Sequence, residues 1–117
     1  MAIPSGGGTE IAKVGQARAV TDSWSDLITG VANHIYIIKS MIITNTTFVD
    51  ESISVYTRDN TSDVNLQFLL HAQALPSAST FVWNDVFFMS GVKLLSFNAG
   101  TTADIDVWVS YIDQDWT

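Results

Sequence analysis

The segment Ala103 to Ile112 alternates strictly between two sets of side chains. One set is apolar and the other is mostly polar: Ala103, Ile105, Val107, Val109 and Tyr111 against Asp104, Asp106, Trp108 and Ser110. Successive side chains of a β-strand point to opposite faces, so this period of two predicts a strand with one face in a core. No segment of the sequence keeps a helical period over three turns, so the chain is limited to folds built from sheets.

Other segments carry the same signal. Ser52–Thr57 alternates, and so does Val64–His71, where Val64, Leu66, Phe68 and Leu70 are expected on the core face. Ile35–Thr44 is β-branched and nearly all apolar, which indicates a central strand covered on both sides or one interrupted by a bulge. Shorter strands are predicted at Trp24–Thr29, Thr80–Phe88 and Lys93–Ala99.

Turn-forming clusters separate these strands at intervals of roughly 10 to 15 residues, the spacing of sandwiches and barrels. At 117 residues the chain fits one domain. We therefore predict an all-β fold: a single antiparallel, jelly-roll-like β-sandwich of 7–8 strands over residues 23–117.

Residues 1–22 differ from the rest. Ile3-Pro4-Ser5-Gly6-Gly7-Gly8-Thr9 is uncharged and costly to order, and no clear period follows it up to Val20. We expect an extended, flexible N-terminal arm that orders across a partner, with Ile3, Pro4, Ile11 and Val14 as contacts. The alternative is a frayed terminus.

Composition excludes several classes of protein. Five basic residues face twelve acidic ones, a formal net charge of −7, and the basic residues are scattered singly, which argues against binding nucleic acid. The absence of cysteine excludes disulfides and cysteine-based metal or catalytic sites. We expect no secretory signal and no membrane association. Only 15% of the residues are charged and 47% are hydrophobic, which favours a surface partly covered by neighbouring subunits.

Catalytic and metal-binding patterns are weak. His34 and His71 are not accompanied by a nucleophile-elbow pattern. Asp104 and Asp106 could form the carboxylate pair of a glycosidase, but the alternation favours two acids on the solvent-exposed face of a strand. The Asp59–Asp63 loop lacks the central Gly and closing Glu of a calcium loop. The sequence therefore predicts no catalytic residues, no cofactor and no bound metal.

Tryptophans are the more informative residues. By alternation Trp108 points away from the face of Ile105 and Val107, and an outward Trp on a strand favours a subunit contact. Trp83 lies in an aromatic segment with more apolar surface than one small core needs. We expect both to be contact residues, with a glycan platform formed by Trp108 and Asp106 as the alternative.

Several strand and turn motifs resemble small virion structural proteins of tailed bacteriophages. The matching segments are Met1–Gly6, Ile38–Thr46 (similar to "VKSIhITNts"), Ile53–Thr57, Leu75–Trp83 ("pa.s..vw"), Met89–Ala99 ("l..GD.L...A") and Ile105–Asp113 ("vdV.vSyie"). The sequence departs from the family pattern at Gly91-Val92, where the family usually has Gly-Asp.

The resemblance implies a non-enzymatic virion component that is made in the cytoplasm of a bacterial host. Its first reading is a capsid decoration (cement) protein that stabilises the phage head across capsomers as a homo-oligomer, most simply a trimer. The partner would be the major capsid protein or another virion protein. A neck, tail or fibre component is the second reading, and a carbohydrate-binding β-sandwich is the third.

Overall fold

The protein is described by a computed structural model over residues 8–19, 24–59, 66–100 and 104–116. These residues form nine strands: β1 (Thr9–Ala19), β2 (Ser25–Thr29), β3 (His34–Asn45), β4 (Glu51–Asp59), β5 (Gln67–Leu75), β6 (Thr80–Trp83), β7 (Phe87–Ser90), β8 (Lys93–Ala99) and β9 (Ile105–Asp115). Within those ranges the chain has no helix that is long and apolar enough to cross a membrane.

The strands form two antiparallel sheets packed as a sandwich, which confirms the predicted fold class. The larger sheet has the order β1-β9-β3-β6, with β7 also paired to β3, and the smaller sheet has the order β2-β8-β4-β5. Strands β6 and β7 occupy the same edge of β3, interrupted by residues 84–86. The nine strands thus fill eight positions in two sheets, as in a jelly roll.

The core lies between the sheets and follows the predicted alternation closely. Ile105, Val107 and Val109 of β9 are fully buried, whereas Trp108 between them is half exposed. They meet apolar side chains of the smaller sheet, among which Val55 and Phe97 are also fully buried. Burying these faces removes apolar surface from water and is the main stabilising contribution to the sandwich.

Strand β3 contains a bulge, which is one of the two alternatives that its sequence indicates. The pairing register with β9 shifts between Ile38 and Ser40, so Lys39 is the extra residue. The shift keeps Ile38 and Met41 both on the core side, where each is fully buried. The other side of β3 is only partly covered, so the strand is not enclosed on both faces.

Strand β5 differs from its prediction. Leu70 faces the core and is 9% exposed, but Phe68 is 47% exposed and packs on Tyr56, with ring centroids 5.4 Å apart. The register between β4 and β5 shifts on either side of Val55, and such shifts change which residues share a face. The strict alternation expected over Val64–His71 therefore fails, with Val64 itself outside the described residues.

Strand β1 falls within the segment that we expected to be an extended arm. Thr9–Ala19 instead pairs with Ile105–Asp115 along its whole length and forms one edge of the larger sheet. The core-side positions of its second half, Gly15, Ala17 and Ala19, are small, and at Gly15 β2 runs close beneath: a Cβ there would lie 2.7 Å from the Leu27 carbonyl oxygen. Small side chains carry no apolar periodicity, which is why the sequence pattern does not reveal this strand. Ile3 and Pro4 lie outside the described residues.

Asn45, at the end of β3, ties the strand to neighbouring segments. Its side chain is 1% exposed, and its amide donates to the carbonyls of Val49, Leu75 and Pro76 at 2.8, 3.0 and 3.3 Å. Its Oδ1 accepts from the Thr47 amide and hydroxyl at 2.9 and 2.7 Å. A buried amide with this many partners fixes the local chain path and leaves no room for a glycan on the folded chain.

Candidate assembly surface

The larger sheet presents one side to the core and the other to solvent. We call the solvent side the outer face and define it by the strand registers and the burial pattern. It consists of Glu10, Ala12, Val14, Gln16, Arg18, Ile35, Ile37, Ser40, Ile42, Thr44, Thr80, Val82, Phe88, Ser90, Asp106, Trp108, Ser110, Ile112 and Gln114. About half of these side chains are apolar, which is unusual for the solvent-exposed face of an antiparallel sheet.

Trp108 lies near the middle of the outer face in a row that crosses the sheet. The registers place Gln16 opposite Trp108, Trp108 opposite Ile42, and Ile42 opposite Val82. Trp108 is 50% exposed, Ile42 44% and Val82 49%. Three neighbouring apolar side chains thus keep about half of their surface in water.

A second apolar row crosses the sheet closer to the end that carries Glu10 and Gln114. It runs from Ala12 through Ile112 and Ile37 to Phe88, and Phe88 is 72% exposed. An open groove beside this row is lined by Ile35, Ile37, Phe88, Ser90 and Gln114. The groove is suited to an apolar side chain of a partner and offers little for recognising a polar ligand.

The charged residues of the outer face lie toward its ends and are paired within the chain, whereas Ser110 and Ser40 lie opposite each other between the two apolar rows. Arg18 Nη2 donates to Asp106 Oδ2 at 2.8 Å, and Gln114 Nε2 donates to Glu10 Oε1 at 2.6 Å. The hydrogen bond from the Arg18 guanidinium holds the pKa of Asp106 below its usual range. Asp106 is therefore ionised near neutral pH and is unsuited to act as a general acid.

One polar cluster lies on the core side, at the end of the sandwich. Asp113 Oδ1 is 2.7 Å from His34 Nδ1, and Asp113 Oδ2 accepts from Lys13 Nζ at 2.9 Å. Burial raises the pKa of Asp113, but the hydrogen bonds from Lys13 and His34 outweigh it, so its pKa lies below the usual value. His34 also stacks on Tyr36, with centroids 5.9 Å apart, and contacts Asp115 at 3.4 Å. These contacts link β1, β3 and β9.

The smaller sheet has a different outer side. Arg58 is 8% exposed there, and it donates to Asp26 Oδ1 at 2.9 Å and to Ser96 Oγ at 3.2 Å. Trp24 covers the guanidinium, whose carbon lies 5.1 Å from the ring centroid. Here charge and aromatic surface are matched within the chain, whereas the apolar rows of the outer face remain open to solvent.

The described residues contain no group of three or more His, Asp or Glu side chains placed to hold a metal ion. Of the Asp59–Asp63 loop, only Asp59 lies within the described residues. Asp59 is near Lys93 Nζ, with which it forms an ion pair.

The structure places the predicted contact residues in different settings. Val14 and Trp108 both lie on the outer face, on adjacent strands, and Val14 is 55% exposed. Ile11 has core-side parity but is 54% exposed. Trp83 points toward the core, where it packs edge-on to Phe87, with centroids 6.2 Å apart. Contact roles for all four remain predictions.

Seven apolar residues of the outer face are not among the contact residues that the sequence predicts: Ala12, Ile35, Ile37, Ile42, Val82, Phe88 and Ile112. Ile35, Ile37 and Ile42 belong to the strand whose apolar run indicates either cover on both sides or a bulge, and neither alternative by itself exposes them. The available signal was the alternation of Ile42 with fully buried Met41 and Ile43, which separates two faces once the bulge at Lys39 is located. Locating that bulge requires the pairing with β9.

Comparisons with known proteins show a shared fold at low sequence identity. The sequence matches no protein-family profile and no curated protein sequence. The structure is similar to a chain from the disulfide-linked pili of Bacillus endospore appendages, with a TM-score of 0.59, 9% identity, and coverage of 100% of this chain and 97% of that one. It is also similar to a chain from the acid-stable capsid of Helicobacter pylori bacteriophage KHP30, with a TM-score of 0.55, 8% identity and 94% coverage of both. At these identities the likeness shows a common β-sandwich fold that is also found in subunits of two protein assemblies.

Proposed function

We propose that this protein is a non-enzymatic structural component of a bacteriophage virion, and most specifically a capsid decoration protein. The observation that carries the proposal is the outer face, where Trp108, Ile42, Val82 and Phe88 remain substantially exposed. Soluble monomers rarely expose contiguous apolar patches beyond a few hundred Å², and larger patches mark interaction sites. The partner would be the major capsid protein or another virion protein.

The mechanism is mechanical. The sheet presents two apolar rows, separated by Ser40 and Ser110, with charged groups toward its ends. Apolar surface bounded by polar groups is the usual arrangement of a protein interface. Asp106, Arg18, Glu10 and Gln114 are already satisfied within the chain, so docking does not require them to find new partners. Many copies on one shell would add their weak contacts and stabilise the head collectively.

The likeness to a phage capsid chain and a pilus chain supports an assembly role, since both belong to repeating protein structures. The resemblance of the strand and turn motifs to small virion proteins supports the virion location. A neck, tail or fibre subunit would use the same face. The resemblance favours a trimer, whereas edge strand β1 favours a dimer. A measurement of the mass in solution distinguishes a trimer from a dimer.

A glycan-binding role is the second candidate. It is favoured by a shallow depression at the end of the outer face, lined by Gln16, Ala17, Arg18, Asp106, Val107 and Trp108. An exposed indole beside paired polar groups is a common platform for a sugar ring. Asp106 and Arg18 are engaged with each other, which lowers their capacity to bind sugar hydroxyls and ranks this role below assembly.

The test uses phage particles assembled from a genome that lacks this gene. Purified protein is added to them, and the bound copies are counted after sedimentation. Hundreds of copies per particle support decoration of the head, and about a dozen or fewer support a neck or tail position. Absence of binding together with a positive glycan array would contradict the assembly role and support the second candidate.

A further inference from the structure

The larger sheet has one edge that differs from the other edges of the sandwich. Strand β1 is eleven residues long, and its register with β9 runs from Thr9 to Ala19 without a shift. By contrast β2 has five residues, β5 contains register shifts and a residue with positive φ at Ala72, and the β6/β7 edge is interrupted. Among the described residues no strand pairs with the other side of β1.

A long, regular edge strand is a template for pairing with another chain, and proteins usually protect such edges with charge, proline or bulges. Strand β1 has none of the bulges and no proline. Its lysine does not guard the edge, because Lys13 Nζ is held 2.9 Å from Asp113 Oδ2. The remaining charges are Glu10 and Arg18, one near each end and both on the outer face, where they also contact Gln114 and Asp106 of β9.

We propose that the β1 edge pairs antiparallel with β1 of a second copy of this chain, about a two-fold axis at Val14. Val14 is the central residue of Thr9–Ala19, so this register pairs all eleven residues of the two strands. The same register sets Glu10 directly opposite the partner's Arg18, and Arg18 opposite the partner's Glu10. Full overlap and charge matching thus select the same arrangement.

Other registers lose both features. A one-residue slip would set outer-face residues against core-side residues, because side chains alternate along a strand. A two-residue slip would remove Glu10 from the partner's Arg18 and would leave unpaired residues at both ends. Opposite charges directly across an antiparallel pair are stabilising, whereas like charges are destabilising.

The pairing has a consequence for the outer face. Since a two-fold axis at Val14 stands perpendicular to the sheet, the outer faces of both copies lie on the same side. One continuous sheet then runs from β6/β7 of one copy to β6/β7 of the other, and the apolar rows around Trp108 and Phe88 are doubled. The pair is closed by symmetry and predicts a dimer. It stands independently of any role in a virion.

The test exploits the position of Val14, because the Val14 residues of the two copies face each other across the two-fold axis. V14K and V14E each place like charges opposite each other and should weaken dimerisation of the full chain by about tenfold or more. An equimolar mixture of the two variants should restore the dimer, because lysine then faces glutamate. V82K is the matched control: Val82 is 49% exposed against 55% for Val14, but it lies at the opposite edge of the same sheet.

Sedimentation velocity at about 0.15 M salt measures the mass, and circular dichroism checks that each variant is folded. Because the chain has no cysteine, V14C gives a second readout: its thiols face each other across the axis and should form an intermolecular disulfide, which V82C should not. The proposal is overturned if the wild type is a monomer or trimer at all concentrations, or if V14K behaves like V82K. It is equally overturned if the mixture stays monomeric or if V14C links no better than V82C.

Discussion

Trp108 gives the most direct test of the outer face as an assembly surface. Replacing Trp108 with Ala removes the largest apolar side chain of that face while leaving the core residues on either side of it, Val107 and Val109, in place. We expect binding to particles that lack the protein to weaken far more than folding. The reason is that half of the residue is exposed in the isolated chain and becomes available for burial only in the assembly.

The magnitude follows from the exposed surface. A buried Trp covers about 150–250 Å², so the exposed half corresponds to about 100 Å² that docking can remove from water. At about 25 cal/mol per Å² this contributes about 2.5 kcal/mol for each copy. The expected loss of affinity is therefore roughly 70-fold. Folding loses mainly the cross-strand contacts with Gln16 and Ile42, which contribute about 1 kcal/mol or less.

The assay titrates wild-type and W108A protein onto such particles and quantifies the sedimented fraction, alongside thermal melting of both proteins. F48A is the control, because Phe48 is 90% exposed but lies in the loop after β3, away from the outer face. F48A should bind as the wild type does. If W108A binds normally, or if F48A loses as much affinity as W108A, the assignment of the assembly surface to the outer face is wrong.

Three further predictions concern stability. N45A should lower the free energy of unfolding by about 3 kcal/mol in urea melts, because it removes three hydrogen bonds to backbone carbonyls, of which the one to Leu75 is buried. V92N should raise it by about 1 kcal/mol, since Val92 has a φ of 64°, a left-handed conformation that a β-branched side chain disfavours and asparagine tolerates; an unchanged melting temperature would contradict this. The pKa of Asp113 is lowered on folding, so its contribution is present above the ordinary value of 3.8 and is lost as the pH falls below it. D113N should therefore lose less stability than the wild type between about pH 6 and pH 3, and equal losses would show that acid unfolding starts elsewhere.

The strain at Val92 also bears on the resemblance to small virion proteins. Those proteins usually have Gly-Asp where this chain has Gly91-Val92. Gly91 is required here because a Cβ would lie 2.0 Å from the Val31 carbonyl oxygen. At the following position of this chain, aspartate would suit the left-handed turn conformation better than valine does.

The sequence alone determined the fold class, because a period of two is a local property of the chain. Ile105, Val107 and Val109 were predicted to face the core and are fully buried, and Lys93–Ala99 was predicted as a strand and forms one with the same bounds. Alternation also placed Trp108 on the opposite face from its neighbours. These assignments need no knowledge of which strands pair, since burial of one face is favourable whatever element covers it.

Tertiary structure decided the features that depend on pairing partners. Strand β1 is recognisable only from its ladder with β9, because its core-side residues mix Ile11 and Lys13 with the small Gly15, Ala17 and Ala19 and give no apolar period. The bulge at Lys39 changes which side chains of β3 reach solvent, and it is defined only relative to β9. The full extent of the outer face, and the position of β1 at an edge among the described strands, therefore arise from contacts between residues far apart in sequence, which no local pattern encodes.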